Sequence, residues 1–433
     1  MSDCCYTTRK IRVHFTKEVE FILDGQSRIC NWLYNHLLET AKADYANGNN
    51  LKLMSDNNLR NLVPKEKKEH KFLSSVHAAP LKNAVMRLKE SFQRFFKEKK
   101  GFPKFKSWKK QWFSLLFEEF NRGWRMDGKE LQISLGLGED RKRKSVSGTL
   151  TTGLKLRKNQ KLKTFRLTKD SQGRFWAMFT IGQPTKIKKP IEKSIFIDPN
   201  HKNLMVALDS DGNSFEFAKP DFTKYFDEQL DKLKSKRDKC QRKAKRIEKS
   251  DGRFFWKPSK RWERLNKAMQ KAMDAKREQT KQCIHNAANW LCRNYGDYAP
   301  DLEVAKFKTM HRAMLNQTWI GQLRTGIQEV CIHSGKSFTE VNEKGSTATC
   351  CCCGDYEKKD PSVRFFVCKS CNRGLNRDIN SCVNHGIRSG YLSGSDWLGW
   401  SLDAPSYIVQ WNPYGSRWAK ESNSARGRAL AKL

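Results

Sequence analysis

Six of the fourteen cysteines crowd between Cys350 and Cys371, and Cys350, Cys353, Cys368 and Cys371 among them spell C-x2-C-x14-C-x2-C. Two such knuckles offer four thiolates to one tetrahedral Zn2+, with every coordination position filled, so the zinc is structural and not catalytic. The first pair could slide by one residue within Cys350-Cys351-Cys352-Cys353, but the two-residue spacing favours Cys350 and Cys353. Val363, Phe365, Phe366 and Val367, between the knuckles, read as the strand of a small ribbon. Cysteines gathered in this way point to a metal site in a reducing compartment, whereas a disulfide framework is the mark of small secreted chains.

The second chemistry is acidic. Lys and Arg number 84 against 46 Asp and Glu, a formal charge of +38, so a carboxylate at the edge of an apolar segment calls for a reason. Asp198 closes the apolar run Ile195-Phe196-Ile197 and is followed by Pro199-Asn200. Asp378 sits in Asn376-Arg377-Asp378-Ile379-Asn380, directly behind the second knuckle and at the start of a helical stretch reaching Val383. Each has a bland reading, a turn for Asp198 and a helix N-cap for Asp378. The sharper reading is that Asp198 stands where an RNase H-type nuclease places the first metal-binding aspartate of its central strand. Carboxylates so placed share two Mg2+ ions, one activating a water and one stabilising the leaving oxygen.

These residues need a scaffold. A chain of 433 residues with 38% hydrophobic content can build several cores. Its charge would repel itself without a polyanion, and nucleic acid is the obvious one. A membrane surface is the rival, yet no apolar run approaches the roughly 20 residues of a spanning helix. The start of the chain also lacks the apolar core of a signal peptide. A generic basic protein of the ribosomal kind is the plain alternative.

Arg9 to Phe15 alternates like a half-buried strand, and Thr16 to Lys99 is helical, with Ile29, Trp32, Leu33 and Leu37 and later Val85, Leu88, Phe92 and Phe95-Phe96 at helical spacing. Gly101-Phe102-Pro103 ends that region. The segments at Phe165–Thr168 and Phe175–Ile181 predict a hairpin, in a stretch made basic by Lys155, Arg157, Lys158, Lys161 and Lys163. One β domain split by a helical insertion is the simplest assembly; two small independent domains are the alternative. Beyond Pro190, Ser194–Ile197, Leu204–Leu208 and Phe215–Phe217 predict three strands. Phe222 to Arg293 predicts two long basic helices interrupted near Ser250-Asp251-Gly252, either solvated or facing nucleic acid.

Ile197-Asp198-Pro199-Asn200 with Lys202-Asn203-Leu204 resembles the first RuvC motif of the TnpB nucleases and miniature type V CRISPR effectors. The knuckles followed by Asn376-Arg377-Asp378-Ile379-Asn380 resemble their third motif. Gly101-Phe102-Pro103-Lys104-Phe105-Lys106 and Asn31-Trp32-Leu33-Tyr34-Asn35 are similar to two further family signatures, so the resemblance runs from about Arg9 to Ser389. It implies a multi-domain α+β protein: a split β-barrel wedge domain with a helical recognition insertion, then a RuvC (RNase H-like α/β) domain carrying an inserted zinc ribbon. The boundaries expected are 1–16 and 101–190 for the wedge, 17–100 for the recognition helices, 191–346 and 375–389 for RuvC, 347–374 for the ribbon and 390–433 for a C-terminal extension.

The resemblance further implies an Mg2+-dependent, RNA-guided DNA endonuclease whose partners are a guide RNA and double-stranded target DNA, acting in a prokaryotic cytoplasm at the nucleoid. Asp198 and Asp378 would be two of its metal-binding acids. The usual second motif, a strand ending in Glu-Asp-Leu, is not intact: the stretch reads Leu302-Glu303-Val304-Ala305-Lys306-Phe307. Val341-Asn342-Glu343-Lys344-Gly345-Ser346-Thr347 resembles instead the relocated glutamate of a variant branch, which makes Glu343 the expected third acid and Glu303 its rival. A guide-dependent DNA-binding regulator or transposition accessory without cleavage is the second reading, and a zinc-ribbon nucleic-acid binder without a guide the third. The tail from Gly390, with Trp397, Trp400, Trp411 and Trp418, reads as a packed extension, an RNA contact or a dimer element, which leaves a homodimer open.

Overall fold

The computed structural model describes residues 4–48, 56–98, 101–107, 113–138, 140–184, 193–200, 202–248, 250, 252, 254–295, 297–300, 319–342, 344–360 and 362–423. Glu303 and Glu343, and with them both candidates for the third acid, lie outside the described residues. The chain divides into two compact units, Met1–Pro184 and Thr185–Leu433. No helix among the described residues is long and apolar enough to cross a membrane.

The first unit is a seven-stranded antiparallel sheet with helices inserted after its first strand. β1 (Cys4–His14) pairs along most of its length with β7 (Phe175–Pro184), which in turn pairs with β6 (Lys161–Lys169) as the hairpin expected from sequence. β2 (Ser114–Phe117) extends the sheet beyond β6. On the other side of β1 stand β5 (Arg143–Leu150), β4 (Glu130–Leu137) and β3 (Trp124–Asp127).

Helices α1 (Lys17–Ala46), α2 (Asp56–Glu69) and α3 (Ala78–Glu98) fill the interval between β1 and β2. Thr16 caps α1 by accepting the Val19 amide at 3.4 Å. Leu33, Leu37, Leu88 and Phe92 from these helices share one core with Ile133, Phe165 and Phe179 of the sheet. The 3-10 turn Lys71–Ser75 presses onto β4 so closely that a Cβ on Gly136 would lie 2.0 Å from the Ser74 carbonyl oxygen. Glycine is required there by a backbone approach, a need that no local sequence pattern announces.

The second unit is built on a six-stranded mixed sheet. β8 (Ser194–Pro199), β9 (Met205–Asp209) and β10 (Ser214–Phe217) form an antiparallel meander. β13 (Asp297–Pro300) lies parallel to β8. Both faces are covered. Ile195, Ile197, Ala207 and Phe217 pack with Ile284, Leu291 and Ile327 of α5 (Lys260–Asn294) and α6 (Ile320–Ser334), while Phe196, Val206 and Leu208 pack with Ile379 and Val383 of α7 (Arg377–Arg388). This two-sided burial explains why β8 reads as continuous hydrophobicity rather than alternation.

The tail, whose sequence reads as a packed extension, an RNA contact or a dimer element, joins this same sheet. β16 (Tyr407–Asn412) pairs parallel to β10, and β17 (Arg417–Ser422) pairs antiparallel to β16. Of its tryptophans, Trp418 is buried and donates to the Cys283 carbonyl at 3.1 Å, and Trp397 is buried and donates to the Cys351 carbonyl at 3.0 Å. A partner strand 192 residues away leaves no mark on a local window of sequence, so the pairing itself could not be read there.

Between β10 and α5 lie α4 (Phe222–Lys239) and a short hairpin, β11 (Lys245–Glu248) and β12 (Phe254–Lys257), at the expected interruption. Phe254, Phe255 and Trp256 on that hairpin are exposed, with the Arg246 guanidinium 4.1 Å from the Phe254 ring. Another small sheet, β14 (Phe365–Val367) with β15 (Gly374–Asn376), belongs to the cysteine-rich segment.

Candidate active site and metal centre

Asp198 is buried near the end of β8, and the sheet register fixes its neighbours. It pairs with Val206 of β9, and Val206 pairs with Glu216 of β10. Directly paired residues point to the same face, so Asp198, Val206 and Glu216 form a row on the side that packs against α7. Asp378 enters this face from α7. Asn376 caps the helix, its side-chain oxygen accepting the amides of Asp378 and Ile379 at 3.0 and 3.3 Å. The N-cap role that the sequence offered to Asp378 therefore falls to Asn376, and the Asp378 carboxylate is left for other work.

Asp378 is buried and held by arginine. Arg364, next to β14, places Nη1 2.7 Å from Oδ1 and 2.6 Å from Oδ2, and Arg377 Nε lies 3.5 Å from Oδ1. Glu216 is half-buried, and its pKa is raised first by burial and then by the Asp378 charge, with Lys202 and Arg364 opposing. Asp378 and Glu216 are thus electrostatic neighbours. Sequence reasoning misses Glu216, because Phe215-Glu216-Phe217 signals only a strand. The clue available is its position between two inward phenylalanines, which turns it to the opposite face; the register to Asp198 needs the fold.

The cysteine segment is fastened to the same helix. Asn380 of α7, fully buried, accepts the Cys351 amide at 2.8 Å and donates to the carbonyls of Ser346 and Thr349 at 3.2 and 2.8 Å. Asn384, one turn on, donates to the same two carbonyls at 2.8 Å each. His385 is fully buried on α7, and burial above all pushes its pKa down to about 4, so it is neutral at physiological pH and no ready acid or base.

The sulfurs of Cys350, Cys353, Cys368 and Cys371 come within 4.8 Å of one another. Cys350 Sγ lies 3.7 Å from Cys371 Sγ, and Cys353 Sγ lies 3.6 Å from Cys368 Sγ. A tetrahedral zinc with Zn–S bonds of about 2.3 Å requires an S···S edge of about 3.8 Å, so the quartet fits this ion. Backbone N–H groups, that of Cys371 foremost, hold the Cys368 thiol down to about 7, while burial pushes the Cys350 and Cys371 thiols up. Cys351 and Cys352 stand outside the quartet, their sulfurs 3.8 Å from each other. The acid face suits a harder ion: carboxylate oxygens are the donors that Mg2+ prefers.

Residues 321–385, which run from α6 through the quartet into α7, match the family model described as Cas12f1-like, TNB domain. Among solved structures, the cryo-EM structure of the Cas12f1–sgRNA–target DNA complex is similar with a TM-score of 0.62 at 12% identity, over 86% of this chain and 83% of that one. The cryo-EM structures of a CRISPR-Cas12f ternary complex (TM-score 0.37, 13% identity, 88% and 83% covered) and of CasPhi-2 (Cas12j) bound to crRNA (0.36, 12%, 88% and 98%) are more distant. No curated protein matches. The fold, resting on the first of these, is the multi-domain α+β fold of a Cas12 effector. The matched TNB segment and this fold are what the chain shares with Cas12f1-like proteins.

Proposed function

We propose that the chain is an RNA-guided DNA endonuclease that cuts at a RuvC-type site, with the first unit as wedge and recognition module and the Cys4 segment as a zinc ribbon contacting target nucleic acid. The observation that carries this reading is the convergence of Asp198, from β8, and Asp378, from α7, on one face of a mixed sheet. Both are buried in a chain otherwise short of acid, beside a segment of the TNB family.

Asp198 and Asp378 would hold the metals, with Glu343 as the third acid. Two Mg2+ ions, when bound, supply an activated water and a stabilised leaving oxygen. The protein's own part is to fix the carboxylates: β8 is immobilised by burial on both faces, and Asn376 caps the start of α7, whose first turn carries Asp378. Sequence choice would come from guide pairing, with the basic surface gripping backbones.

One observation favours the non-cutting regulator as a second reading. Arg364 engages both oxygens of Asp378, an arrangement that neutralises the carboxylate instead of leaving it open to a metal. Cleavage of a plasmid target by protein purified with its own RNA, in Mg2+, decides between the two. Asp198→Ala and Asp378→Ala should abolish cutting while RNA binding persists; undiminished cutting by either sinks the assignment. Glu343→Gln should also abolish it, and Glu303→Gln should leave substantial activity. Loss of cutting in Glu216→Gln with retention in Glu343→Gln would move the third acid to β10.

A further inference from the structure

The first unit holds a cluster of metal-binding residue types far in sequence from the acids and cysteines just described. His36 lies on α1, one turn beyond Trp32. Glu66 and His70 are spaced i, i+4 at the end of α2 and the entry to the 3-10 turn. Glu66 is the buried member, its side chain only 8% exposed, and its Oε2 has no hydrogen-bond partner among the described residues. A carboxylate so buried is costly unless a cation compensates it.

Both imidazoles are aimed at that same oxygen. His36 Nε2 is 3.4 Å away and His70 Nε2 is 3.9 Å away, and one ligand atom from each of the three residues fits within a 4.8 Å span. As hydrogen bonds these distances are long or absent. As edges of a metal polyhedron they are nearly right, because bonds of 2.0–2.1 Å to tetrahedral zinc place N and O donors about 3.3–3.4 Å apart. Aromatic rings wall the cluster: Trp32 stacks on His36 with centroids 4.9 Å apart, and its ring meets His70 and Phe72 edgewise at 4.9 and 4.8 Å.

We propose that His36, Glu66 and His70 form a further metal site, for Zn2+ or another imidazole-preferring transition ion, with water completing the coordination. Two imidazoles exclude Mg2+ and Ca2+ as natural occupants, since those ions take oxygen donors. Ligands drawn from two helices make the site a clip: metal binding free energy becomes cohesion between α1 and the α2–turn segment. The site does not depend on the nuclease reading.

The test uses the full-length protein, stripped by chelator under reducing conditions, reloaded with Zn2+ or Co2+, and desalted before metal analysis. About two equivalents per chain are expected, one in the thiolate quartet and one here. His36→Gln/His70→Gln should fall to about one, keeping the sulfur-to-cobalt charge-transfer absorption and losing the part of the visible cobalt spectrum that lacks sulfur character. Cys371→Ser should show the reverse. Glu66→Gln, which removes the charge without the volume, should weaken binding at least tenfold in a chelator competition. One equivalent in the wild-type protein with an intact thiolate spectrum, or an unchanged count in the double histidine variant, overturns the proposal. The wild-type count is decisive even where a variant fails to fold.

Discussion

Asn380 ties the cysteine segment to the helix that carries Asp378, and its removal should be felt in both. In Asn380→Ala the amide loses its acceptor contact with the Cys351 N–H and its two donor contacts to the Ser346 and Thr349 carbonyls. The carbonyls keep Asn384 as a donor, at 2.8 Å each, so they are not orphaned. The Cys351 amide has no such substitute, and Cys351 is buried. An abandoned buried donor costs about 1–3 kcal/mol and the two lost donor contacts about 1–2 kcal/mol together, giving roughly 2–5 kcal/mol for the local structure. Asn384→Ala removes donors only, and the carbonyls then keep Asn380, so its cost should be about 1–2 kcal/mol.

The two variants should therefore separate in hydrogen exchange. The Cys351 amide in Asn380→Ala should exchange roughly 30- to 5000-fold faster than in the wild-type protein if exchange follows local opening. Release of ribbon zinc to a competing chelator should accelerate with it. Asn380→Asp keeps the acceptor for Cys351 but turns a carboxylate toward two carbonyls, and it should be no better than alanine. If Asn380→Ala and Asn384→Ala proved equally mild, the orphaned-amide argument would be wrong.

Cys353→Ser or Cys371→Ser should release the ribbon zinc and destabilise that segment, as metal analysis and limited proteolysis would report, because the bound ion is part of its folding free energy. Gly136→Ala should cost about 1–3 kcal/mol or more in denaturant melts, since its Cβ would meet backbone atoms of the 3-10 turn at 2.0–2.5 Å. Gly25→Ala, in α1 with nothing within 4 Å of its Cβ, should be neutral or stabilise by up to about 1 kcal/mol. Affinity for non-cognate nucleic acid should fall roughly 10³-fold or more between 50 and 200 mM salt if six or more phosphates are contacted, and a flat response would mean that the positive charge serves something else.

Features that depend on neighbours along the chain are legible in the sequence. The knuckle spacing places the sulfur quartet; the apolar run ending in Asp198 places β8; the hairpin between β6 and β7 follows from two alternating segments around a glycine turn. The features that escape it involve distant pairing. Glu216 meets the acid face only through the β8–β9–β10 register, and the last tryptophans are packing residues of a sheet that their strands join through β10, 192 residues earlier. Helical spacing puts Trp32 in one apolar stripe with Leu33 and Leu37. It is instead 37% exposed and stacks on His36, because an apolar residue at helical spacing does not say which of two adjoining faces it lines.

The parallel pairing of β10 with β16 has a consequence for synthesis. Ser214 and Ser406, hydrogen-bonded where the two strands meet, stand 192 residues apart. At ribosomal rates of about 5–20 residues per second, β10 waits on the order of 10–40 s with its outer edge unpaired. An open edge flanked by Phe215 and Phe217 is a template for stray strands, so the nascent chain passes through an interval in which it is prone to self-association. A fast elongation tract or an early-binding polyanion over residues 218–406 would shorten or shield that interval. Expression conditions should therefore govern the yield of this protein more than the stability of its finished fold does.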